Sequence, residues 1–111
     1  MATRIFTFKT SVNASTSDVE IVKLQPPTDT QWTIVEVRPI LNDAGQIRCF
    51  FDTELYHTFD FEDVLKYTRQ HTLVLDLVSP HFYRVVADNN VATAQVMGIV
   101  IVVEEKPRTA T

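Results

Sequence analysis

Glycine is almost missing from this chain: Gly45 and Gly98 are the only two in 111 residues. A phosphate-cradling loop, a dinucleotide fingerprint and a nucleophile elbow each need two or three glycines at fixed spacing, and none of these patterns is present. Cysteine is scarcer still. Cys49 stands alone, so no disulfide can form within the chain, and a reducing compartment suits it. Positive charge is thin, with ten Lys and Arg against fourteen Asp and Glu, for a net charge of −4. The ten are scattered, and no basic cluster exists to neutralise a run of phosphates, which argues against a nucleic-acid partner.

Long apolar runs are also lacking. The longest stretch without a polar side chain, Val96 to Val103, spans eight residues, far below the ~20 that a membrane-crossing helix needs. No membrane insertion is expected. The opening "MATRIFTFKTS" has no apolar segment of the ~7–15 residues found in a secretory leader. The sequence therefore predicts a protein made without such a leader, located in a virion if viral and otherwise in the cytoplasm. On that reading the sequon Asn13-Ala14-Ser15 is unmodified.

What is present is period-two patterning. The chain is 45% apolar and 22% charged, the balance of an ordinary globular domain with a core of its own. One domain over 1–111 is expected, with 106–111 as a flexible tail. "RIFTFKTSV" places Phe6, Phe8 and Val12 on one face. "SDVEIVKLQ" sets Val22 and Leu24 against Val19 and Ile21, until Pro26 and Pro27 stop the strand. "QWTIVEVRPIL" sets Val35 and Val37 opposite Trp32, Ile34 and Glu36. "NDAG" (Asn42–Gly45) reads as a turn of residues tolerant of positive φ, leading into "QIRCFFD". "ELYHTF", "TLVLDLV", "HFYRVVA" and, after a "DNN" turn, a long final strand complete eight strands. One segment has helical spacing: Phe61, Val64, Leu65 and Thr68 fall at i, i+3, i+4 and i+7, with Asp60 as cap, which predicts a short helix near 61–68.

Eight short strands with turn signals between them predict an all-β, antiparallel two-sheet β-sandwich of jelly-roll type. The order "P…WTIVEVRPILNDAG…IRCFFD…YRVVADNN…AQVMGIVIVVEE" resembles small single jelly-roll structural proteins of virus particles. In these a Trp-led strand, a short hairpin and a long apolar terminal strand recur. The resemblance covers most of the chain as a pattern and carries no functional residue across. It implies a particle subunit. Carbohydrate-binding sandwiches share the same pattern.

Catalytic and metal chemistry find little purchase. His57, His71 and His81 lack the H-x-H pair of a cupin-like site, and a zinc site assembled from His57, His71, Cys49 and a carboxylate would need the fold to gather them. Cys49, between Ile47 and Phe51 on one strand face, reads as a small core hydrophobe. Asp60, Glu62 and Asp63 are candidate calcium ligands, against the simpler reading of acidic residues at a helix N-terminus. Asp52 and Glu54 share a strand face as a formal carboxylate pair for glycoside hydrolysis, against solvated edge acids. No enzyme activity, metal or cofactor is predicted. Trp32, Tyr56, Tyr67, Phe82 and Tyr83 are the aromatics that could meet a ligand or a partner. Phe82 and Tyr83 are adjacent, so one of them must leave the core.

The final strand raises the sharpest question. Met97, Ile99, Ile101 and Val103 stand on one face, and Val96, Gly98, Val100 and Val102 on the other. One sandwich covers only one face of a sheet, so the second needs a cover: another copy of the protein, or the short helix. The expected subunit interface is drawn from Val96, Met97, Ile99, Val100, Ile101 and Val102. The favoured function is a non-enzymatic, self-associating subunit of a viral or phage particle, as a capsid, cement or penton component, touching other particle proteins. The alternative is a carbohydrate- or small-ligand-binding module.

Overall fold

The computed structural model describes residues 2–60 and 71–108. All eight strands that the alternation predicts are formed: β1 (Ala2–Val12), β2 (Val19–Leu24), β3 (Thr30–Ile40), β4 (Gly45–Phe51), β5 (Glu54–Asp60), β6 (His71–Val78), β7 (Tyr83–Asn89) and β8 (Gln95–Pro107). No helix occurs among the described residues. The helix expected near 61–68 lies outside them, as do Glu62, Asp63 and Tyr67.

The strands make two antiparallel four-stranded sheets, ordered β1-β8-β3-β6 and β2-β7-β4-β5. The first strand pairs with the last, the second with the seventh, the third with the sixth and the fourth with the fifth. The chain is thus one long antiparallel ribbon, folded at the β4–β5 turn and rolled so that successive rungs alternate between sheets. Pairing of β3 with β8 and of β4 with β7 knits the rungs together. One core fills the space between the sheets. Trp32, Ile34, Val37, Leu77, Met97, Ile99, Ile101 and Val103 face Leu24, Ile47, Cys49, Phe59, Tyr83, Val85 and Ala87 across it, with Phe6 and Phe8 packed against its margin.

In β3 and β2 the alternation read from the sequence fails, each time for the same reason. In β3, Val37 is fully buried alongside Trp32 and Ile34 rather than opposite them. An extra residue between Ile34 and Glu36, relative to β8, reverses the phase of the strand. In β2, Val19, Val22 and Leu24 pair with Ala87, Val85 and Tyr83, and Ile21 is the extra residue. All three therefore lean on the core, where a regular strand would have separated Val19 from Val22.

The turns correct other expectations. Positive φ falls at Ser15, Asp18 and Asp52, and nowhere in Asn42–Gly45. Gly45 is needed there for space, because a Cβ would sit 2.4 Å from the Asp88 carbonyl oxygen. Gly98 likewise marks a close approach without a bulge: a Cβ would meet the Phe8 carbonyl oxygen at 2.0 Å, and the β1–β8 register runs through it unbroken. Asp88 and Asn89, read as the start of a turn, are the buried last residues of β7. The tail begins later than residue 106. Lys106 and Pro107 belong to β8, and the Arg108 amide donates to the Asp29 carbonyl at 2.9 Å.

Candidate subunit interface

The position of β8 inside its sheet settles which of its faces is covered. Met97, Ile99, Ile101 and Val103 point inward and are fully buried. The six candidate interface residues therefore divide. Met97, Ile99 and Ile101 are core residues and cannot meet another subunit while the chain is folded. Val96, Val100 and Val102 remain, on the outer face of the β1-β8-β3-β6 sheet.

Their neighbours follow from the register. Ile5 of β1 lies opposite Val102 and Thr7 opposite Val100, while Ile40 of β3 lies opposite Gly98. Ile5 is 68% exposed and Val96 43%, and Val74, beside the irregularity of β6, is 76% exposed. The apolar strip runs along β8 from Val96 to Val102 and is extended onto β1 by Ile5 alone, since Thr3, Thr7, Lys9 and Ser11 are the other outward residues of β1. Its β3 border is polar: Arg38 Nε donates to Glu36 Oε2 at 3.0 Å, and Thr33 Oγ1 to Asp76 Oδ1 at 2.7 Å.

The outer face of the other sheet carries charge at its centre, with Leu55, opposite Phe50 on the edge strand β5, 58% exposed. Arg48 of β4 donates to both carboxylate oxygens of Asp88, at 2.8 and 3.0 Å, and also to Asp18. These two carboxylates hold its pKa above the ordinary guanidinium value, Asp88 contributing most. Arg84 donates to Glu20 at 2.8 Å. The guanidinium carbons of Arg48 and Arg84 lie 5.8 and 5.5 Å from the Phe50 ring centre. Val86, flanked in register by Arg48 and Glu20, is 1% exposed yet stands outside the main core cluster.

One end of the sandwich is pinned by a pair of buried amides that sequence patterning missed. Asn89 Nδ2 donates to the carbonyls of Val12, Asn13 and Thr93. Gln95 Nε2 donates to Asn89 Oδ1 and to the Ala44 carbonyl, while Gln95 Oε1 accepts from the amides of Asn42 and Asp43. The loops β1–β2, β3–β4 and β7–β8 are thereby tied to one another. "DNN" and the polar Gln95 ahead of an apolar strand were the available signals.

The candidate aromatics do not form a platform. Tyr83 is fully buried and Trp32 is 8% exposed, its indole N–H donating to Glu105 at 2.9 Å. Phe82 leaves the core, as the adjacency of the two rings requires, and lies under Lys23, whose Nζ is 4.3 Å from the ring centre. Tyr56 is 46% exposed on β5. Beside the Trp32–Glu105 contact is an open groove of about 400 Å³ lined by Ala2, Asp29, Thr30, Glu105, Lys106 and Pro107. Trp32 and Arg4 both donate to Glu105 and hold its carboxyl below the ordinary range.

The candidate chemistry is equally dispersed. Burial pushes the Cys49 thiol up to about 12 and raises Tyr83, whose buried hydroxyl has no hydrogen-bond partner of good geometry. A thiol so placed is not an activated nucleophile. Asp52 and Glu54 do not share a strand face, because Asp52 sits in the β4–β5 turn and Glu54 opens β5. Asp52 binds His81 Nδ1 at 2.7 Å and accepts the Phe82 amide at 3.1 Å. Among the described residues, no three His, Cys, Asp or Glu side chains come together as a metal site would require. Comparison with protein-family models, with curated proteins and with solved structures finds no match to this chain.

Proposed function

We propose that this chain is a non-enzymatic structural subunit that associates with copies of itself through the outer face of the β1-β8-β3-β6 sheet. The strip Ile5, Val96, Val100 and Val102 carries the reading. Monomers seldom leave a contiguous apolar strip in water. A few hundred Å² buried at about 25 cal/mol per Å² contributes several kcal/mol to association. The nested pairing of first strand with last supports reading the sandwich as a jelly roll, an architecture used for capsid subunits. On that basis the setting is a viral or phage particle, with the chain as a capsid, cement or penton component. Its partners are its own copies and neighbouring particle proteins, with no nucleic acid and no membrane insertion. A sugar-binding module would instead want clustered exposed rings, and Trp32 and Tyr83 are spent on the core.

Sedimentation equilibrium over the micromolar range tests this. The parent is expected to exceed the chain mass of 12.7 kDa, and Val100→Lys to lose that excess while staying folded. A parent that sediments as a single chain at every concentration overturns the reading.

A further inference from the structure

Each sheet has two edge strands, and they differ in one respect. β2, β5 and β6 each carry an extra residue relative to the strand they pair with, between Glu20 and Val22, between Leu55 and His57, and between Thr72 and Leu75. An irregularity of this kind twists an edge and spoils it as a template for further pairing. β1 has none. Its eleven residues, Ala2 to Val12, match β8 one for one from Glu105 to Gln95. It contains no proline, and among the described residues no strand pairs with its other side. Its charged residues are weak guards. Arg4 is drawn onto β8, away from the free edge, with Nε 3.0 Å from Glu105 Oε1, which leaves Lys9.

We infer that the free edge of β1 pairs with β1 of a second copy, in antiparallel two-fold register, merging two sheets of four strands into one continuous sheet. The inference rests on self-association as the protein's function and adds a second contact to it, through backbone rather than through the apolar face. Two-fold symmetry about an axis normal to the sheet brings together residues that share a face. Centred on Thr7, the pairing sets Phe6 against Phe8 of the second copy, Ile5 against Lys9, Arg4 against Thr10 and Thr3 against Ser11. No like charges oppose each other. Phe6 and Phe8, half-buried at the margin of the core and stacked with ring centres 6.0 Å apart, gain an aromatic cross-strand partner from the second copy.

Amide exchange and mass together test this. Alternate residues of a strand turn their N–H groups toward each neighbour, so half of the β1 amides face β8 and half face the free edge. In the parent, the edge-facing amides are expected to be protected at high protein concentration and to exchange at the free rate once diluted to the monomer. Val100→Lys, which blocks the face, should leave a dimer of twice 12.7 kDa. Thr7→Pro and Thr10→Pro lie on opposite sides of the ladder. One removes a bond to β8 and lowers the melting temperature; the other removes only an edge-facing amide and leaves the fold intact. Added to Val100→Lys, that second change should halve the mass. Edge-facing amides that exchange freely in an assembled parent overturn the inference. So does protection that ignores protein concentration, or a monomeric Val100→Lys beside an assembled parent, which would leave the face reading standing. A Val100→Lys variant of full parental size, reduced to 12.7 kDa by the proline, sinks the face reading and keeps the edge. A parent that is monomeric throughout overturns both.

Discussion

The two sheets bury their inner faces in one core but turn very different faces outward. The β2-β7-β4-β5 sheet presents Arg48 between Asp88 and Asp18, Arg84 against Glu20, and the Phe50 ring beneath both guanidinium groups. Arg48 and Arg84 each have an opposite charge within the chain, Lys23 lies over the Phe82 ring, and the apolar exposure of this sheet is confined to Leu55 and Tyr56 on its edge strand β5. The β1-β8-β3-β6 sheet presents Ile5, Val96, Val100 and Val102, hydrocarbon that a flat sheet cannot fold over itself. Polar groups can satisfy one another within a surface, whereas apolar groups on that surface still need something laid on top. On the proposed function, this asymmetry puts the assembly contact on one side of the sandwich.

The largest test sets the two faces of β8 against each other. Ile101 is fully buried, so Ile101→Lys places an unpaired charge in the core and should cost about 3–5 kcal/mol, enough to prevent folding of a marginal domain. Val100, one residue away and turned outward, should tolerate Lys within about 0.5 kcal/mol. Urea unfolding of both variants measures the difference. Equal losses would mean that both faces are enclosed by the same chain, and the distinction between the sheets would collapse.

A smaller effect is expected from the charged face. Asp88→Ala removes two hydrogen bonds to Arg48 and the one accepted from the Asp18 amide at 2.8 Å. With Asp88 8% exposed, the loss should be about 2 kcal/mol, read from the denaturation midpoint. Assembly at a concentration where the variant is folded should be unchanged. If instead Asp88→Ala dissociated the protein, the charged face would be the contact.

How much of this was legible follows the same division. Strand number and strand positions were readable, because burial imposes period two and eight segments obey it. The inward side of β8 was not, because both of its faces are apolar and only the fold shows Met97, Ile99 and Ile101 in the core. The face assignments that failed in β2 and β3 share a cause in backbone count. One extra residue at Ile21, and one between Ile34 and Glu36, invert the alternation of β2 and β3 locally, and no side chain announces a bulge. Asn89 and Gln95 were hidden for another reason. Amides are ordinary turn residues, and only the fold reveals that these two serve the carbonyls and amides of three separate loops. Arg48 was legible as a charge but not as a pair, since Asp88 lies 40 residues away.

Within the core, alkali should distinguish buried from exposed titrating groups. Cys49, raised from 9.0 to about 12 by burial, and Tyr83, raised from 10.0 by burial and by Cys49, are both neutral when protonated. Their folded pKa values lie above the unfolded ones. The stability they contribute is whole below about pH 9 and drains away as pH rises toward 12. Melting temperature should fall over that window, and Cys49→Ala with Tyr83→Phe should flatten the fall. A disulfide reagent should leave Cys49 unmodified in the native protein and label it only on unfolding.

The smallest effect belongs to Asp52, at the rim where the β4–β5 turn meets the β6–β7 loop. Its carboxyl is held below the ordinary 3.8, first by His81 and then by the Phe82 amide, with burial opposing both. The sign follows from the depressed value: the contact stabilises fully above the unfolded pKa and is lost as pH falls through the folded one. The pair is largely solvated, with side chains 49% and 33% exposed, so its weight in stability is slight and screened by salt. His81→Ala should raise the Asp52 pKa toward 3.8 without reaching it, because the Phe82 amide at 3.1 Å still donates. A carbon-detected titration of the Asp52 carboxyl reads this directly. Since neither outer face is involved, the assembled mass should not change. A change in mass would extend the subunit contact to this rim and blur the division between the two sheets.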